Sequence, residues 1–151
     1  MAEAIRVPFM NQLVDSATNT VRFATLLETH NFLLSKGLIL FQNGPYKVGR
    51  QLYYTGDDLL IRIKTHGEPA GHRAGQAHMS VALVPSGILS EYKEEWVKFD
   101  AHGEGRGKPN VPASDPLFDL WAKATHFNFP NQQLLGAEVL PDVFGSNPTA
   151  H

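Results

Sequence analysis

Five side chains that can carry charge or transfer a proton recur at every second position of three predicted strands. They are Arg62 and Lys64 in the first strand, His78 and Ser80 in the second, and Lys98 in the third. Alternate residues of a strand lie on the same face of a sheet. If the three strands pair antiparallel with their apolar faces aligned, all five side chains gather on one surface. Cations, an imidazole and a hydroxyl on one surface predict a phosphate-handling site.

Cleavage of RNA without a metal ion is the chemistry that such a surface would support. It needs a base for the proton of the ribose 2′-hydroxyl, an acid for the leaving 5′-oxygen, and cations to stabilise the phosphorane. The predicted catalytic residues are His78, His126, Lys64 and Ser80, with the two histidines as acid and base. The predicted substrate-binding residues are Arg62, His72, Arg73, Lys98 and Thr125. Which imidazole is the acid stays open, as does a role for His102.

Each of these residues, taken singly, has a simpler interpretation. A histidine at the start of a strand is usually structural or solvent-facing, and single lysines and arginines are ordinary surface residues. Co-location favours function here, because His78 shares its strand face with Ser80 and the neighbouring strand places Lys64 on the corresponding face.

Several other kinds of site lack their signatures in this chain. There is no cysteine, which excludes disulfides, thiolate zinc sites and cysteine nucleophiles. The seven histidines form neither a His-x-His pair nor a His-Glu-x-x-His motif, and no Gly-x-Ser-x-Gly elbow is present. The glycine-rich loop at residues 66–77 matches neither a Walker loop nor a dinucleotide fingerprint. We therefore predict no metal and no cofactor.

Length and composition predict a single globular domain. The chain has 151 residues, of which 42% are hydrophobic and 19% charged, which is neither a disordered nor a membrane composition. A formal net charge of −2 argues against a general polyanion binder but leaves room for a local cationic cluster. No apolar run approaches the length of a transmembrane helix, so no membrane association is expected. No signal peptide is recognisable, so export would depend on something outside this chain.

The periodicity of the chain predicts an α+β fold, with an N-terminal helical segment packed on a twisted antiparallel sheet of about four to six strands. Apolar residues three and four positions apart predict helix over residues 11–36, with a break near residues 16–20 and a stop at Lys36 and Gly37. Asp115 is the predicted cap of a short second helix. Predicted strands cover residues 38–42, 51–54, 59–64, 78–84 and 96–100, and residues 125–130 are extended. The predicted domain spans residues 11–130, between an arm at 1–10 and a tail at 131–151.

Three stretches of the chain carry a family resemblance. The segments RIKTHGEPAGHRAGQAHMSVAL, WVKFDAHGE and THFNFP resemble, in motif texture over about residues 38–130, the C-terminal toxin domains of bacterial polymorphic toxins of the contact-dependent inhibition and Rhs types. Many of those domains are ribonucleases of the class related to barnase, EndoU, colicin D and RelE. The resemblance implies an active site at His78, Ser80, Lys64 and His126. It also implies an RNA substrate, with tRNA among the candidates, delivery into the cytoplasm of a target cell, and an immunity protein as partner.

Two other function classes compete with this interpretation. A non-catalytic α+β module could bind a nucleotide, a peptide or a protein, with its histidines incidental. Transfer of ADP-ribose from NAD would need an arginine on one strand, a Ser-Thr-Ser-like strand and a catalytic glutamate, of which only Arg62 and isolated fragments are present. We rank that reaction below both others.

Overall fold

The structure is a computed structural model that describes residues 7–56, 58–67, 76–83 and 97–140. Three helices, nine strands and a 3₁₀ helix form within this part of the chain. They are α1 (Met10–Leu13), β1 (Val14–Asp15), β2 (Thr20–Val21), α2 (Leu26–Ser35), β3 (Ile39–Pro45), β4 (Arg50–Gly56), β5 (Leu59–Lys64), β6 (His78–Leu83), β7 (Val97–Phe99), β8 (Gly105–Arg106), α3 (Pro116–Thr125), β9 (Phe127–Asn128) and the 3₁₀ helix Ala137–Val139.

One sheet organises these elements, in the order β1-β2-β9-β6-β5-β4-β3, with β7 and β8 added beside β6. The predicted α+β class is confirmed. The predicted count of four to six strands is too low, because four of the nine strands have only two residues and so present no alternation to detect. All pairs are antiparallel except β2 and β9, which pair parallel and make the sheet mixed.

The predicted N-terminal helix is interrupted where its sequence is poorest in helix formers. A hairpin of β1 and β2 separates α1 from α2, and its turn includes Asn19 at a positive φ of 58°. The predicted stop of α2 is confirmed: Gly37 has a φ of +88°, and the Leu38 amide donates to the Leu33 carbonyl in a Schellman arrangement. Both leucines are buried, which fastens the end of the helix to the core.

The two faces of the sheet have different partners. Leu59, Ile61 and Ile63 of β5 are buried in the main core, beneath α2 and the N-terminal segment. Val7 and Phe9 belong to the same core, so the residues predicted as an irregular arm are packed from position 7 onward. The other face carries a smaller apolar cluster of Tyr53, Leu60 and Ala82, with Phe41 packed against it. The remainder of that face is polar.

The second long helix stands beside this polar face. Asp115 caps α3 as predicted, because its carboxylate accepts from the Leu117 amide at 2.9 Å and Pro116 occupies the first turn. Beyond α3, Leu134 and Ala137 are buried in the main core, so packed chain continues past residue 130. No helix of the described part is both long and apolar enough to cross a membrane.

Candidate active site

Strand register places most of the predicted site residues on the polar face. Lys64 pairs with His78, Arg62 with Ser80, and Ala82 with Lys98. On its other side His78 pairs with Asn128 of β9, because β9 and β7 pair with β6 one after the other along the same edge. One continuous line of polar residues therefore crosses five strands, and we call it the polar row. Its members, from β4 to β2, are Gln51, Lys64, His78, Asn128 and Thr20.

His78 is the buried centre of the polar row. Its side chain begins β6, and the residue is 8% exposed. The Nδ1 atom lies 3.0 Å from the carbonyl oxygen of Gln76. A carbonyl only accepts, so Nδ1 carries the proton and Nε2 is the basic nitrogen of the neutral ring. A backbone contact that orients the imidazole in this way is what proton transfer at Nε2 requires.

His126 lies next to His78, with the two ring centroids 5.9 Å apart. It follows the last residue of α3, where the final carbonyls of a helix lack intrahelical partners. Nδ1 of His126 donates to the Ala122 carbonyl at 2.8 Å. Nε2 is thereby left as an acceptor, and the Lys98 ammonium lies 3.2 Å from it. His126 thus connects the end of α3 to the cation of β7.

The electrostatic surroundings keep His126 neutral. Burial, followed by the charge of Lys98, lowers its pKa, with smaller contributions from His78 and Arg62. The hydrogen bond to Ala122 acts in the opposite direction but does not compensate, and the pKa falls to about 2. An imidazolium is therefore not formed at neutral pH. His126 is suited to hold Lys98 in place, and this revises the expectation that the two histidines form an acid and base pair.

The lysines of the site lie against aromatic rings. Lys64 Nζ is 4.7 Å from the centroid of the Tyr46 ring and 3.4 Å from its hydroxyl oxygen. Lys98 Nζ lies 5.4 Å from the centroid of the Trp121 ring. The indole N–H of Trp121 donates to the Arg106 carbonyl at 3.0 Å, which fixes the orientation of that ring. Cation–π contacts of this kind hold an ammonium without neutralising its charge.

The remaining predicted residues have different positions. Ser80 is 4% exposed on the same face, and Arg62 is partly buried across from it. Thr125 is fully buried, and its hydroxyl donates to the Trp121 carbonyl at 2.8 Å, so it stabilises the end of α3. His72 and Arg73 lie outside the described residues. His102 is exposed in a turn, where its amide donates to Asp100 Oδ1.

Sequence reasoning missed Asn128 as a site residue. Alternate residues of an extended segment share a side, which puts Asn128 on the side of His126, but only the pairing of β9 with β6 sets it beside His78. Its Oδ1 atom is buried and is, among the described residues, the one buried side-chain oxygen or nitrogen without a hydrogen-bond partner. Trp121 and Tyr46, which support the two lysines, had no signal in the sequence.

The described residues contain no group of three or more histidines or carboxylates arranged to hold a metal ion. The arrangement that is present consists of an oriented imidazole, two ring-supported ammonium groups and a guanidinium. In comparisons with protein-family models, curated proteins and solved structures, nothing matched this chain. Function is therefore inferred from the chemistry of this face.

Proposed function

We propose that the protein is a metal-independent endoribonuclease. The observation that carries the proposal is the position of His78: a buried, oriented imidazole paired across the sheet with a cation, Lys64, and adjacent to the Lys98–His126 pair. Proton transfer next to a cluster of cations is what cleavage of a phosphodiester by its own 2′-hydroxyl requires.

The residues divide the reaction among them. His78 Nε2 takes the proton of the 2′-hydroxyl, and the 2′-oxygen then attacks phosphorus. The phosphorane that forms is stabilised by Arg62 and Lys64. The bond from phosphorus to the 5′-oxygen breaks, and the Lys98 ammonium, which lies 3.2 Å from His126 Nε2, protonates the leaving oxygen. The products are a 2′,3′-cyclic phosphate and a free 5′-hydroxyl, and exchange with solvent then removes the proton from His78 and returns one to Lys98.

The biological setting of the proposal comes from the family resemblance. Toxin domains of that kind act on RNA in the cytoplasm of a competing bacterium, and a cognate immunity protein protects the producing cell. For this chain we propose the same use. Expression in the cytoplasm of a bacterial host should then arrest growth, and replacement of His78 should relieve the arrest.

The direct test is incubation of the purified protein with total RNA in excess EDTA. The wild type should produce discrete fragments that end in 2′,3′-cyclic phosphates, and His78→Ala should produce none. His102→Ala is the matched control. Because His102 is exposed, this variant should cleave RNA as the wild type does. Circular dichroism verifies that each variant is folded. Intact RNA with the wild type, whether or not divalent metal is added, would remove the proposal.

A non-catalytic nucleotide-binding module is the second candidate. Two observations favour it: His126 is neutral, and an aromatic ring lies against each lysine. Side chains held in this way can bind a ligand without transferring a proton. A binding module predicts that His78→Ala lowers affinity for nucleotides while no product appears from any variant. The same RNA incubation, joined to a binding measurement, separates the two functions.

A further inference from the structure

Asn128 has an acceptor atom that the fold leaves unused. Its Oδ1 is buried and has no hydrogen-bond partner among the described residues. A buried carbonyl oxygen without a partner costs about 1–3 kcal/mol, so such atoms are uncommon in folded proteins. An apolar residue of similar volume would avoid that cost. A ligand that donates a hydrogen bond to this oxygen would offset the cost.

The position of this oxygen relates it to the candidate active site. Asn128 pairs directly with His78, and Cβ atoms of directly paired antiparallel residues lie about 4.5–5.5 Å apart. It is two residues after His126 in an extended segment, so it shares the face of that ring as well. The residue is partly accessible, and the torsion that turns an asparagine amide is soft. A small rotation of the Asn128 amide would therefore let its oxygen accept a hydrogen bond from a ligand at His78.

The polar row also indicates what the ligand offers at this point. On one side of His78 stands Lys64, a cation for phosphate, and on the other side stands Asn128. A neutral amide oxygen is a poor partner for a phosphate, because both would be acceptors. A nucleotide with its phosphate toward Lys64 would direct its sugar or base toward Asn128. Both carry hydrogen-bond donors, the ribose hydroxyl and the exocyclic amino group of the base.

We infer that Asn128 is a substrate-binding residue whose Oδ1 accepts a hydrogen bond from the nucleoside part of the ligand at His78. The inference deepens the proposed function and rests on it for the nature of the ligand. It assigns nucleoside recognition to β9 and phosphate recognition to β5. Asn128 is thus a specificity determinant of the site and takes no part in proton transfer.

The test uses three probes that cannot be cleaved: cytidine 3′-monophosphate, uridine 3′-monophosphate and 2′-deoxycytidine 3′-monophosphate. Dissociation constants are measured by NMR titration for the wild type and for Asn128→Leu, which removes the amide at nearly constant volume. Asn11→Leu is the matched control, because Asn11 is exposed on α1. Loss of one donor should weaken binding to the wild type about tenfold. The ratio of the dissociation constants for cytidine and uridine 3′-monophosphate reports on the exocyclic amino group of the base. The ratio for cytidine and 2′-deoxycytidine 3′-monophosphate reports on the 2′-hydroxyl.

In Asn128→Leu the ratio that reports on the donor bound by Asn128 should fall about tenfold, while Asn11→Leu keeps the wild-type ratio. The melting temperature of Asn128→Leu should equal or exceed that of the wild type, because an unpaired buried oxygen has been removed. Unchanged ratios in Asn128→Leu, or no binding of any probe to the wild type, would overturn the inference. If RNA is still cleaved in that case, the proposed function stands. If the ratios change as expected but RNA is never cleaved, recognition by Asn128 stands and the nuclease does not.

Discussion

Two pairs of buried rings lie on opposite faces of the sheet, and they differ in the charges that surround them. On the core face, His30 of α2 and Tyr54 of β4 are joined by a hydrogen bond of 2.7 Å. Burial lowers the pKa of His30 and raises the pKa of the Tyr54 hydroxyl, so both groups are neutral. On the polar face, His78 and His126 are accompanied by Lys98 and Arg62, whose charges act on His126.

The difference between the two pairs separates a structural histidine from a functional candidate. The hydrogen bond between His30 and Tyr54 gives each ring a buried partner, and neither group has a cation among the causes of its pKa shift. In the second pair, one ring holds a cation and the other lies within a polar row. Burial of a histidine is therefore uninformative by itself, and the neighbouring charges carry the distinction.

The largest expected effect is on catalysis, and it should distinguish the two pairs directly. His78→Ala should lower the rate of RNA cleavage about 10²–10⁴-fold, the usual contribution of a positioned acid or base. His30→Ala should leave the rate per folded molecule unchanged. Rates are measured on one fluorescent RNA and corrected for the folded fraction from a urea titration. Equal rate losses in both variants would contradict the functional distinction.

The free energy of unfolding, in contrast to the rate of cleavage, should depend on the core-face pair. Tyr54→Phe leaves the buried Nδ1 of His30 without its partner, which should lower the free energy of unfolding by about 1–3 kcal/mol. Tyr53→Phe is the matched control, because Tyr53 is the adjacent residue and lies on the other face. Urea denaturation at pH 7.5 gives both values. A Tyr54→Phe variant as stable as Tyr53→Phe would show that the hydrogen bond contributes nothing.

Acid should destabilise the protein through both pairs. His30 and His126 have pKa values below 6.5 in the folded state, so the unfolded state binds protons first as the pH falls. Above pH 6.5 these groups contribute no pH dependence. Below it, each should lower the free energy of unfolding by up to about 1.4 kcal/mol per pH unit. Urea titrations between pH 7.5 and 4.5 measure the slope, and His126→Gln should be less steep than the wild type. An equal slope in that variant would refute the neutral state of His126.

The smallest effect should be on the pKa of one ring. Lys98→Met removes the second-largest cause that lowers the pKa of His126, so this pKa should rise but remain below 6.5, because burial persists. Lys64→Met is the matched control, since Lys64 is not among the causes of that shift and its ammonium lies over the Tyr46 ring. Imidazole proton shifts followed against pH give the values. The same rise in Lys64→Met would assign the effect to the total charge of the face.

Local patterns in the sequence determined which residues share a face. The alternation of Leu59, Ile61 and Ile63 with Arg62 and Lys64 separates core from polar side chains whatever the partner strand is, because successive residues of a strand point to opposite faces. The end of α2 at Gly37 and the cap of α3 at Asp115 could likewise be predicted from the sequence, since both depend on neighbours within a few residues. The number of strands was not readable, because a strand of two residues has no period.

Only the tertiary structure decided which of those residues meet. The pairing of β9 with β6 joins Asn128 to His78 across a separation of 50 positions, and no local pattern encodes a register between distant segments. The contact between Lys98 and His126 arises in the same way, because Lys98 lies in β7 and His126 directly precedes β9, and both strands pair with one edge of β6. The charge state of His126 follows from that contact and from burial, both of which exist only in the folded chain. The sequence thus determined the chemical character of the polar face, and the fold decided how its residues divide the chemistry.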